Sequence, residues 1–173
     1  MEWWDVYDID RNKKDKTISS DRPVPDGEYH LVVNVCILNN HNELLIQKRK
    51  ADKEKWPGLW DVSVGGRARV GENSREAAER ELREEIGLEL DLTDTLPQLS
   101  ASFPEGFNDF YLIECDLDLS DLSRQQDEVE SLRWASMDEV LVMVGDGNFI
   151  PYYPSFIRLI FDMKDTLGVI RTK

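Results

Sequence analysis

The apolar positions of this chain change their spacing along its length, and each change predicts an element. "EWWDVYDID" (2–10), "YHLVVNVCIL" (29–38), "ELLIQKRK" (43–50) and "NDFYLIECDL" (108–117) are rich in β-branched, aromatic and aliphatic residues and predict strands. The polar "NNHN" between the second and third predicts a hairpin. Shorter strands are expected in "DVSV" (61–64), ending on a Gly65-Gly66 turn, within "LELDLTDTLPQLSASF" (88–103), and in "SLRWAS" (131–136). A charged turn is expected around "RNKKDK" (11–16). "DRPVPDGEY" (21–29), "KEKWPGLW" (53–60) and the acidic "DLSRQQDEVE" (121–130) read as loops.

Three segments have helical spacing. The first begins after Asn73, whose side chain can cap while Glu76 closes a capping box, and it should end at Gly87. "SMDEVLVMVGDG" (136–147) opens on a good Ser136 cap. "PSFIRLIFDMKDTLG" (154–168) places Phe156, Leu159, Ile160 and Met163 on one face. Helices before and after a set of strands suggest a mixed sheet between helical layers, an α/β class.

The first helix carries the chemistry. At about 100° per residue, Ala78, Leu82 and Ile86 share one arc, and Glu81, Glu84 and Glu85 occupy the adjoining one. Like charges at i, i+3 and i+4 destabilise a helix by a few tenths of a kcal/mol per pair. A solvated helix would more cheaply alternate them with lysine. Carboxylates grouped at a core boundary raise one another's pKa unless a cation neutralises them, and hard oxygen ligands suit Mg²⁺ or Mn²⁺ better than zinc. A merely solvated charged face is the competing reading of the helix alone.

Bulk properties narrow the classes. The 173 residues suffice for one domain with a sizeable core. A net charge of −14 argues against a nucleic-acid polymer or an anionic membrane surface as partner. That charge would also repel a phosphate substrate, unless a bound divalent cation reversed the field locally. Cys36 and Cys115 sit in apolar runs without a metal-type partner and read as reduced core thiols. With no secretory signal and no 18-residue apolar run, the expected location is cytoplasmic.

The spacing around the helix resolves the competition. Gly66, five residues, Glu72, seven residues, and then Arg80-Glu81-Leu82-Arg83-Glu84-Glu85-Ile86-Gly87-Leu88 fill every fixed position of the Nudix box, so the sequence resembles the Nudix hydrolase family. The resemblance implies an α/β/α sandwich with a mixed sheet. It treats 1–173 as a single Nudix domain, with 1–28 a strand or hairpin extension, 29–173 the core and 66–88 the box. It implies Mg²⁺- or Mn²⁺-dependent hydrolysis of a diphosphate linkage in a nucleoside diphosphate joined to another moiety, by in-line attack of a metal-activated water. By resemblance, Glu81, Glu84 and Glu85 bind metal, with the Gly65 carbonyl as a further ligand, while Gly66, Glu72 and Arg80 brace loop to helix. Many family members take a glutamate from a later loop as extra ligand or base; Glu128 is the first choice here and Glu105 the second.

Upstream, "LIQKRKADKEKWPGLWDVSVGG" is similar to the Nudix branch that includes isopentenyl-diphosphate isomerases, with a likeness from about Tyr29 to Trp134. The catalytic cysteine of those enzymes corresponds to Gly65, and one of their metal histidines to Arg67, so an isomerase-like activity is the lesser alternative. His30 does match another of those histidines. A non-catalytic nucleotide sensor is the other alternative, against which the intact box argues. Lys48, Arg49, Arg67 and Phe107 are the candidate substrate contacts, and Trp60 is either a stacking platform or core. The expected partner is a small-molecule diphosphate. The resemblance leaves a homodimer open, with exposed Trp3 and Trp4 as its only hint.

Overall fold

The computed structural model describes residues 1–164 and 170. Strands β1 (Trp3–Tyr7) and β2 (Lys13–Ser19) form a separate antiparallel hairpin. The turn between them is tighter than the charge run suggests. The Asp8 carboxylate accepts from the Asp10 and Asn12 amides, and Arg11 takes a left-handed φ of 61°. The lysines beyond belong to the exposed first part of β2, where Lys13 pairs with Asp5 and Lys14 and Lys16 with Glu28.

The main sheet has seven strands: β3 (His30–Leu38), β4 (Glu43–Arg49), β5 (Trp60–Asp61), β6 (Val64–Arg67), β7 (Leu99–Phe103), β8 (Gly106–Glu114) and β9 (Val129–Ser136). β3 runs parallel to β8 and antiparallel to β6, and β4 pairs along its length with β9. β3 and β4 meet only at Leu38 and Leu44, beside the Asn39–Asn42 turn, and then diverge. Ser63 occupies the fork: its hydroxyl accepts from the Ile37 amide at 2.8 Å and donates to the Leu45 carbonyl at 2.6 Å. Gly65 and Gly66 lie inside β6, opposite Asn34 and Val33, and do not form the expected turn. Residues 89–98 form no strand, because Asp91 and Glu79 cap local backbone amides and Pro97 precedes β7.

Alternation along the strands sorts side chains to two layers. Leu31, Val33, Val35, Ile37 and Leu45 pack under helix α1 (Ser74–Ile86), against Ala77, Ala78, Leu82 and Ile86. Cys36, Leu38, Leu44 and Ile46 face the other way, toward α2 (Met137–Gly145) and α3 (Pro154–Asp162). The result is the expected α/β/α sandwich. The Asn73–Glu76 and Ser136–Glu139 capping boxes are both formed, and Gly87 closes α1 at a φ of 69°. α3 is shorter than the pattern suggested. It buries Ile157, Ile160 and Phe161, with Met163 at its C-cap, and residues 165–168 of that expectation lie outside the described residues. Both cysteines are free thiols, Cys36 fully buried. Among the described residues, no helix is long and apolar enough to cross a membrane.

Candidate active site

The divergence of β3 and β4 opens one face of the sheet under α1, and polar side chains collect there. Glu85 is the most deeply placed of the three glutamates, only 5% exposed, well inside the stripe whose edge the helical wheel assigns it. Its Oε2 accepts from Gln47 Nε2 at 2.9 Å and from the Gly65 amide at 3.3 Å. Burial, reinforced by the Glu81 charge, pushes its carboxyl up to about 8. Burial raises Glu81 as well, with Arg80 pulling it back. Glu84 goes the other way: burial is outweighed by hydrogen bonds from Arg69 and Arg80, which hold it below the usual range. The three glutamates therefore do not titrate alike, as simple mutual repulsion would have them do.

Arg80 is the brace. It is buried and bidentate to Glu72, at 2.6 and 3.0 Å, and it reaches Glu81 at 2.8 Å, Glu84 at 3.1 Å and the Arg67 carbonyl at 2.9 Å. Glu72 also accepts from the Arg69 amide at 2.8 Å. One guanidinium thus ties the loop, the end of β6 and the helix together. Gly66 is required for a related reason: a Cβ there would fall on the Glu81 carboxylate, and one at Gly65 would collide with the Asn34 side chain. These glycines serve close approach, not a positive φ.

The glutamates open onto a cavity of about 420 Å³ whose walls include Gly65, Gly66, Glu81, Glu84, Glu85 and Glu128. Arg49, Lys53, Lys55 and Arg67 stand on the same walls, so an acidic floor meets basic flanks. Glu128 arrives from the loop before β9 and accepts from Lys53 Nζ. Glu105 is not in this cavity; it lines a neighbouring one. Among the described residues, no three His, Cys, Asp or Glu side chains already converge as a cation cage, because Arg69 and Arg80 hold Glu81 and Glu84. The donor set nonetheless fits a hard divalent cation: it is all oxygen, and its two innermost carboxyls are shifted toward the protonated form without one.

Some candidate contacts lie elsewhere. Lys48 alternates to the opposite face from Gln47 and Arg49 and pairs with Glu130 at 2.9 Å, so it is not a cleft residue. Phe107 is buried against Tyr29, with Arg11 stacked over its ring, and is core. Trp60 packs on the α2–α3 side under Arg133. His30 is 2% exposed and accepts from Arg67 Nε at 3.2 Å. Residue-type reasoning did not single out Gln47 or Arg69 for the site. Gln47 had a signal, a lone amide at an inward position of the apolar run "LLIQ"; Arg69, which binds Glu84 at 2.9 Å and Glu2 at 2.7 Å, had none.

Comparison with known proteins converges on one family. The NUDIX domain profile matches residues 28–155, further toward the C-terminus than the motif likeness reached. The chain is 43% identical over 169 residues to an uncharacterised Nudix hydrolase of Listeria innocua, covering 98% of this chain and 99% of that one. An isopentenyl-diphosphate delta-isomerase of Salmonella heidelberg shares 33% over 116 residues, 64% of each chain. For the fold, a solved structure from Deinococcus radiodurans superposes with a TM-score of 0.74 at 24% identity, over 91% of this chain and 98% of that one. A MutT protein from Methanosarcina mazei does so with 0.56 at 22%, over 85% and 99%. With the profile spanning most of the residues that build the cleft, the chain belongs to the Nudix hydrolase family.

Proposed function

We propose that the protein hydrolyses the diphosphate linkage of a nucleoside diphosphate joined to a second moiety, using Mg²⁺ or Mn²⁺ held by Glu81, Glu84, Glu85 and Glu128 with the Gly65 carbonyl. The observation that carries this reading is a pair of raised carboxyls, buried Glu85 and half-buried Glu81, facing a cavity flanked by Arg49, Lys53 and Lys55. When bound, the divalent cation neutralises diphosphate oxygens and acidifies a water. Arg49 and the two lysines orient the diphosphate, Arg49 through its planar fork of donors. A Glu128 carboxylate oxygen, set by Lys53, accepts the proton of the attacking water. Arg80 holds the loop and helix in register and takes no part in proton transfer.

The isomerase alternative is disfavoured by the residues themselves. Protonating an alkene needs an acid in a dry pocket, and Gly65 has no side chain to provide one. A sensor that binds without turnover gains no support from a complete set of box glutamates.

The test is product analysis with Mg²⁺ and Mn²⁺ across nucleoside triphosphates, nucleotide sugars, dinucleotides, coenzyme A and isopentenyl diphosphate. The Glu84→Gln/Glu85→Gln double variant is the control. Turnover confined to one group and lost in the control is the expected result. Full activity in the double variant, or silence on every compound, would overturn the proposal.

A further inference from the structure

The N-terminal hairpin is stitched to the loop that leads into the acidic helix. The Val70 amide donates to the Trp3 carbonyl at 3.0 Å, and the Gly71 amide donates to the Asp5 carboxylate at 2.8 Å. Ser20 fixes Glu2 within that hairpin: its amide donates to the Glu2 carbonyl at 2.9 Å, and its hydroxyl accepts from the Glu2 amide at 3.1 Å. The Glu2 side chain is thereby brought to the wall of the cleft, beside Arg69 and Glu84. Arg69 lies between the two acids. Its Nη1 and Nη2 donate to the two oxygens of Glu84 at 2.9 and 3.0 Å, while Nε and Nη2 donate to Glu2 Oε1 at 2.9 and 2.7 Å.

Glu84 thus has both oxygens on one guanidinium, and Arg80 adds a donor at 3.1 Å. The two arginines are not equivalent. Arg80 is buried and is held as well by Glu72, Glu81 and the Arg67 carbonyl, so it stays in place. The Arg69 side chain is 38% exposed, and its acidic partners Glu84 and Glu2 are 34% and 46% exposed. Exposed pairs of this kind are individually weak and exchange at little cost. A divalent cation on Glu84 competes with Arg69 for the same oxygens, and the two positive charges repel at that distance. Arg69 has an acceptor at hand. Glu2 meets it through Oε1 alone, so among the described residues Oε2 is free for a donor that Glu84 releases.

We propose that Arg69 is a positioning residue that holds Glu84 when no cation is bound, and that Glu2 takes the guanidinium over as Glu84 turns to the metal. Arg69 then keeps the most exposed glutamate of the box oriented, and Glu2 keeps the displaced charge from opposing the cation. The N-terminal hairpin is by this route a working part of the metal site. The assignment rests on the metal-dependent hydrolase reading above.

The experiment needs no turnover. Mn²⁺ is titrated into the whole chain without substrate, and the free ion is followed by its electron paramagnetic resonance signal. Wild type is compared with Glu2→Gln, Arg69→Gln and the double variant. Arg69→Gln removes the competitor and should tighten Mn²⁺ binding about two- to fivefold, the range for one exposed ion pair. Glu2→Gln removes the acceptor and should weaken binding by a similar factor. In the double variant the Glu2 effect should vanish, leaving the affinity of Arg69→Gln alone, because no guanidinium remains to be taken over. An equal weakening by Glu2→Gln in both backgrounds would mean through-space charge alone and would overturn the proposal. Weaker binding by Arg69→Gln, or one affinity for all four proteins, would overturn it too while the metal site stands. Absence of Mn²⁺ binding in all four would overturn the metal-dependent reading, and this proposal with it.

Discussion

Glu85 of the acidic helix and Gln47 of the facing strand are joined by a 2.9 Å hydrogen bond, with both residues buried. An amide N–H donates to a carboxyl oxygen in either protonation state. Gln47 therefore holds the Glu85 carboxyl in position without supplying the charge that would keep it ionised. A positively charged partner at position 47 would have depressed Glu85 and competed with a cation for it.

The pH dependence of stability follows from this arrangement. Glu85 is raised from 4.5 to about 8, so its stabilising contribution is complete below about pH 4.5 and is lost as pH rises through about 8. Glu81 and Asp61, also raised by burial, act with the same sign. His30 acts with the opposite sign: lowered from 6.5 to about 4, its contribution is present above pH 6.5 and lost as pH falls through about 4. The slopes oppose between about pH 4.5 and 6.5, and only the carboxyl side remains between 6.5 and 8. Thermal melts of metal-free protein should show Tm falling across that upper window, by about 2–4 °C per kcal/mol for a chain of this size. Glu85→Gln should remove most of the fall, and saturating Mg²⁺ should flatten it by stabilising the ionised form. A wild-type Tm that does not change from pH 6.5 to 8 would contradict the assignment.

Gly66→Ala should separate chemistry from folding. The added Cβ occupies the position of the Glu81 carboxylate, which must move while the strand can stay paired. A shift of about 1 Å in a catalytic group costs on the order of 10²-fold in rate. The expected result is a kcat lowered by about that factor at nearly unchanged far-UV circular dichroism, measured on whichever substrate the panel identifies.

Arg80→Ala should chiefly destabilise. It leaves the Glu72 and Glu81 carboxylates partly buried without their common partner, a change that costs about 3–5 kcal/mol in comparable buried networks. Urea titration should show a lower midpoint with an unchanged slope. Arg80→Lys should recover only part of this, because a single ammonium cannot repeat the bidentate contact with Glu72.

Lys48 and Arg49, adjacent in sequence, should differ sharply. Arg49→Met removes a charged donor from the cleft wall and should raise KM about ten- to a hundredfold, the range for one hydrogen bond to a charged group. Lys48→Met, on the other face, should change KM less than about twofold, consistent with the small worth of its exposed pair with Glu130. Steady-state kinetics on both variants checks the pair.

What could be read in advance had a local signature. The capping box at Asn73 and Glu76, the αL residue Gly87 and the spacing from Gly66 to Leu88 are short-range patterns, and the structure repeats them closely. The strand cores could be read for the same reason. What could not be read depends on register between distant segments. Whether Lys48 or Arg49 faces the cleft is settled by the pairing of β4 with β9, and a one-residue slip would exchange them. Phe107 is a candidate substrate contact by residue type alone, and it is the pairing of β8 with β3 that puts it under Tyr29 and Arg11. Arg69 reaches Glu84 across a loop whose path no periodicity records.

The hydroxyl of Ser63 gives the sheet something it otherwise lacks, a spacer one atom wide. Where β3 and β4 part, the ordinary ladder would either close the gap or let it drift. One oxygen that accepts from Ile37 and donates to Leu45 permits neither. The distance from Gln47 on one strand to Gly65, paired to the other, is inherited from that fixed aperture, and so is the seat of Glu85 between them. Substitutions in the Lys50–Leu59 loop can then alter what enters the cleft while its width at the carboxylates stays constant.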